Sequence, residues 1–181
     1  MRRGIAAACI FAAAAAPMAA QTPPLEPVSA LDLARYAGTW HEIARYPNWF
    51  QRNCAGDVTA TYTLRDDGIV GVLNACRKAE GETIRAEGVA RRPDAVRAPA
   101  KLEVRFAPDW LAWLPLVWAD YWVVDLAPDY SHVLVGEPTR EYFWILARAS
   151  RLDDVTYARL LERAKALGYD PARLVRSAGP R

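Results

Sequence analysis

Between residues 38 and 148, apolar and polar positions trade places every one or two residues in short runs. The segment 99–106 shows it most plainly, with Leu102, Val104 and Phe106 on one face and Lys101, Glu103 and Arg105 on the other. A period of two belongs to a strand with one wet side. Runs of this kind cover 38–46, 57–65, 68–77, 83–91, 99–106, 120–126, 131–136 and 141–148. Arg65-Asp66-Asp67-Gly68 and Lys78-Ala79-Glu80-Gly81 separate neighbouring runs, and each ends on a glycine free to take a left-handed backbone. Eight short strands in succession predict an antiparallel meander. After residue 148 the period lengthens: Tyr157, Leu160, Leu161, Ala164 and Leu167 form one stripe between Asp153, a plausible N-cap, and Gly168, a C-terminal stop. That is an amphipathic helix. Strands and helix together fit an open sandwich or a closed barrel. Closure removes the edge strands and encloses room for one small ligand.

The flanks change the picture. Residues 1–20 carry Arg2 and Arg3, then a small apolar run ending at Ala19-Ala20, and read as a signal peptide; residues 21–30, with three prolines, read as an extended lead-in. Cys9 follows three alanines and hints at a lipoprotein acceptor, but almost no apolar stretch precedes it. Without Arg2 and Arg3 the 23 basic side chains fall to 21, equal to the acidic ones, and no basic stripe remains. A nucleic-acid partner is excluded on that ground. The rest of the chain suits one domain. Export delivers Cys54 and Cys76 to an oxidising compartment, and the hairpin turning at Asp66-Asp67 brings them to one end, with a three-residue offset for a bulge to absorb. They are expected to pair.

Gly38-Thr39-Trp40 heads the first strand, Asp129-Tyr130 sits between the sixth and seventh, and Arg148 ends the eighth. This order resembles the lipocalins. The stretches GTWHEIARYPNWFQ, VTATYTLRDDG and YFWILAR resemble the bacterial outer-membrane lipocalin and apolipoprotein D branch, over residues 31–176, leaving 177–181 as a tail. The resemblance implies an all-β fold, an eight-stranded up-and-down barrel or calyx with a C-terminal helix. It implies that Gly38, Trp40 and Arg148 form the barrel floor, with the guanidinium packed on the indole. It also implies a small apolar or amphiphilic cargo, a fatty acid or lysophospholipid, and no cofactor. Bacterial members often begin as an acylated cysteine, whereas Gln21 is the expected mature start here. A free periplasmic form is favoured over outer-membrane anchorage.

Strand parity offers a map of the lumen. If Trp40 points inward, so do Glu42, Ala44 and Tyr46; counting back from Arg148 gives Leu146, Trp144 and Tyr142. Relatives imply that Trp144 and Thr61 line the pocket, and Asn74 is a candidate polar contact within an apolar strand. Trp144 and Tyr142 serve equally as core aromatics. Glu42, facing an apolar lumen, meets either a ligand's polar group or an Arg or Tyr of the wall. The loop at 110–118, with Trp110 and Trp113, is too apolar for water and suits a lid, a membrane contact, a contact in a homodimer, or packing over the rim. The lid is the preferred reading. His41 and His132 have no metal spacing, and no nucleophile motif is present, so a binding protein is expected, not an enzyme. The rivals are a lipocalin acting on a bound lipid through Cys54, Cys76 or Glu42, and an envelope interaction protein with an incidental pocket.

Overall fold

Alternation at 38–45 produces β1 (Gly38–Arg45), and the same pattern gives β2 (Gly56–Leu64), β3 (Val70–Arg77), β4 (Thr83–Arg91), β5 (Lys101–Arg105), β6 (Ala119–Leu126), β7 (His132–Gly136) and β8 (Phe143–Ala147). The structure is a computed structural model that describes residues 23–179; the expected signal peptide lies outside them. Each strand pairs antiparallel with the next, and β1 pairs with both β8 and β2, so the sheet closes into an eight-stranded barrel.

Two elements are too short for a sequence pattern to announce. Helix α1 (Leu33–Tyr36) is capped by Asp32, whose Oδ1 accepts from the amides of Ala34 and Arg35. Strand β9 (Val175–Arg176) follows helix α2 (Asp154–Ala166) and pairs with Ala44 and Arg45. It sits where β1 and β2 have parted, because β1 meets β2 only from Gly38 to His41. Ser177 N–H donates to Ile43 O and Asp57 N–H donates to Ala178 O, both at 3.0 Å. The segment after α2 thus fills the seam in the upper wall.

Helix α2 begins at Asp153, which accepts from Thr156 N–H at 2.8 Å, and is followed by Gly168 at φ +86°. Leu160 and Ala164 are buried against Phe143, Ile145, Ala147 and Leu134 on the outside of the barrel. A separate core fills the inside: Trp40, Tyr62, Val70, Val72, Ala90, Leu102, Val123, Val133, Val135 and Leu146. The lead-in is strapped to the wall by Val28 N–H on Val123 O and by buried Leu25.

Cys54 and Cys76 are bonded, with Cα atoms 5.5 Å apart. A register shift between Gly56 and Thr59, where Asp57 takes φ +52°, takes up one residue of the hairpin's offset, and Cys54 takes up the rest by lying in the loop before β2. In the chain-entropy picture, closing a loop of 22 residues contributes about 3 kcal/mol.

Candidate ligand site

The site is built between a floor, a wall and a mouth. At the floor, the Trp40 indole is fully buried and its Nε1–H donates to Tyr36 O at 2.8 Å. The Arg148 guanidinium lies 4.0 Å over the ring and donates to the carbonyls of Thr39, Arg35, Tyr36 and Ala37. Gly38 takes φ +93°, and a Cβ there would stand 3.3 Å from Arg148 Nη1. A side chain at this position is therefore strained and crowded against the guanidinium.

Above the floor stand three phenols. Tyr36 Oη lies 2.7 Å from Tyr121 Oη, and Tyr62 Oη lies 2.9 Å from it. Burial pushes the Tyr62 hydroxyl up to about 12, and drives those of Tyr36 and Tyr121 well above the usual phenol range. All three stay protonated at neutral pH.

On the wall, Trp40, Ala60, Asn74 and Ala86 are neighbours across β1 to β4 and face inward together. Small side chains at three of these four positions leave volume opposite the bulky Trp144 and Leu146. Ala60, Asn74, Val104, Tyr121 and Trp144 all face inward and are only partly buried. At the mouth, Tyr142 stacks on Trp144 with centroids 6.1 Å apart, and Phe50 of the β1–β2 loop lies 5.9 Å and 6.3 Å from the two rings.

Several expected residues are placed otherwise. The register shifts between Glu42 and Ala44, and this bulge reverses parity along the rest of β1. Arg45 then points inward, while Ala44 and Tyr46 turn outward beneath α2. Tyr46 is not a lumen residue: its hydroxyl donates to Asp170 O at 3.0 Å and Arg173 covers its ring. Thr61 also faces outward, because its neighbours Ala60 and Tyr62 face the core; its Oγ1 lies 3.0 Å from Thr39 Oγ1.

Glu42 is buried, but its carboxylate accepts from Arg45 Nη1 at 2.7 Å, from Gln51 Nε2 at 2.6 Å and from Ser177 Oγ. It is a scaffold group, satisfied before any ligand arrives. Gln51 relays this anchor to the mouth, since its Oε1 accepts from Trp144 Nε1 at 3.1 Å. Trp110 and Trp113 do not fold into the lumen; they are 73 % and 77 % exposed on a loop of two 3-10 turns. Trp118 anchors that loop, lying 3.9 Å from the Arg91 guanidinium and donating to Ala112 O.

Sequence reasoning missed Gln51, Arg45 and the three phenols. Counting alternate residues from Val123 on β6 and from Ala60 on β2 would have turned Tyr121 and Tyr62 inward.

A family model described as a lipocalin-like domain matches residues 31–179. Temperature-induced lipocalin-1 of Arabidopsis thaliana is 42 % identical over 83 % of this chain and 80 % of its own length. The outer membrane lipoprotein Blc of Escherichia coli (strain K12) is 36 % identical over 85 % of this chain and 84 % of its own. Apolipoprotein D of Rattus norvegicus is 33 % identical over 77 % and 72 %. Among solved structures, insecticyanin from the tobacco hornworm Manduca sexta superposes with a TM-score of 0.68 at 22 % identity, covering 89 % of this chain and 87 % of its own. Lipocalins are in general binding proteins for small hydrophobic ligands, not enzymes. This chain belongs to the lipocalin family.

Proposed function

We propose that the chain binds a fatty acid or lysophospholipid tail-down in the barrel and stores or carries it in a bacterial cell envelope. The observation that carries this reading is Trp144, which faces inward, keeps accessible surface, and is held by Gln51 between Tyr142 and the open lumen. An apolar tail fits a wall of alanine, valine and leucine, and a polar head stays at the mouth near Arg45 and Gln51. The envelope is supported by the leader-like residues 1–20 and by likeness to an outer membrane lipoprotein.

Octadecanoic acid or a lysophospholipid should change tryptophan emission saturably, and Trp144→Phe should remove at least about half of that change while far-ultraviolet dichroism stays the same. A full response in the variant would place the ligand elsewhere.

The rim has a second role in this reading. Trp110, Trp113 and Leu116, the last 95 % exposed, stand at the same end as Trp49 and Phe50. Such a patch suits a membrane surface from which the cargo is taken. Replacing Trp110 and Trp113 by serine should lower flotation with phosphatidylglycerol-containing vesicles about tenfold or more, since each ring contributes about 2 kcal/mol when buried in lipid. Affinity for a soluble short-chain lysophospholipid should not change. Faster ligand release with unchanged flotation would restore the lid.

A further inference from the structure

The three phenols of Tyr36, Tyr62 and Tyr121 carry three O–H donors but make only two contacts, both through Tyr121. Among the described residues these oxygens make no other hydrogen bond. Each contact consumes one proton, so one O–H is left over whichever way the bonds run. When Tyr36 and Tyr62 both donate to Tyr121, its two lone pairs are filled and its own proton is the spare one. Tyr36 and Tyr62 are buried, whereas Tyr121 is only partly buried and its strand turns it inward, so this arrangement leaves the unused donor on the least buried of the three side chains.

We propose that the Tyr121 hydroxyl is a recognition group at the bottom of the lumen, and that the cargo carries a neutral hydrogen-bond acceptor, a carbonyl or hydroxyl oxygen, at its buried end. This rests on the lumen-binding reading above. A neutral acceptor suits the site better than a carboxylate, because a buried anion requires a cation beside it. Arg148, the cation near Tyr36, spends its donors on the carbonyls of residues 35, 36, 37 and 39. The cluster itself stays protonated, because burial raises all three phenols. It therefore offers a proton without offering charge. A ligand oxygen accepting from Tyr121 completes the accounting of donors and fixes how deep the chain inserts.

The test compares octadecanoic acid with 17-oxo-octadecanoic acid, which differ by one carbonyl near the buried end. By calorimetric titration the oxo acid should bind the wild-type protein about fivefold or more tightly, the gain of one hydrogen bond. Tyr121→Phe should erase that preference while octadecanoic acid binds within about twofold of before. Tyr36→Phe and Tyr62→Phe, which leave the Tyr121 proton in place, should keep it. In the wild-type complex the ketone stretch should move to lower frequency in the infrared, a readout that needs no variant to fold. Equal affinities in the wild type, a preference that survives Tyr121→Phe, or an unshifted ketone would overturn the proposal. Loss confined to Tyr36→Phe or Tyr62→Phe would overturn the assignment to Tyr121. If octadecanoic acid itself does not bind, the lumen reading fails and this one falls with it; if it binds and the two acids match, only the Tyr121 proposal fails.

Discussion

Replacing Trp40 by alanine should destabilise the protein by about 3–5 kcal/mol, the range for deleting a large buried aromatic. The ring is fully buried, bonds Tyr36 O through its Nε1, and supports the Arg148 guanidinium at 4.0 Å. Truncation leaves a cavity under the barrel and removes the surface on which the guanidinium lies. Arg148→Met keeps the apolar stem but withdraws its donors from four carbonyls, of which only Tyr36 O keeps a side-chain donor, the Trp40 indole. Because the two side chains act through one contact, the double variant should lose about 1–2 kcal/mol less than the sum of the single losses. Urea denaturation of the four proteins measures this directly. Strict additivity would mean that the stack contributes nothing of its own.

Asn74→Trp should abolish lipid binding, with a loss of about a hundredfold or more in affinity, because the indole fills space that the tail requires. Asn74 faces inward between Ala60 and Ala86, on the side of the lumen built from small residues. Its control is Thr61→Trp, one position along from inward Ala60 and on the outer face beside Thr39. That variant should bind lipid as the wild type does. The pair tests the placement of the ligand separately from the tolerance of the fold, because both introduce the same bulk into adjacent strands. Blockage by Thr61→Trp with normal binding in Asn74→Trp would invert the assignment of inside and outside.

The contrast between these two residues shows what the sequence could and could not reveal. Strand count and the helix stripe rest on local periodicity, so they were legible; segment 99–106 announces its wet and dry faces by itself. Trp40, Arg148 and Trp144 were legible through order along the chain. Tyr46 was not, since a bulge between Glu42 and Ala44 is set by the pairing partners, and one extra residue turns every later side chain to the other face. The resemblance puts Thr61 in the pocket, while alternation from Tyr62 places it outside. For Glu42 the sequence offers a ligand's polar group or an Arg or Tyr of the wall, and Arg45 is that Arg; its other partners, Gln51 and Ser177, come from a loop and from the segment beyond α2, which strand parity does not reach. The phenol cluster is drawn from α1, β2 and β6, and no single window of sequence contains it.

The seam in the wall imposes an order on the growing chain. Strand β1 finds β2 early, but only for its first four residues, and five further strands must be made before β8 arrives at its other edge. Until residues 175–178 emerge, the upper edge of β1 facing β2 has no partner, and such an edge can capture any extended chain nearby. Pairing across so long a separation in sequence is also slow. Newly made protein therefore passes through an open, unsealed form in which a chaperone's shelter matters most.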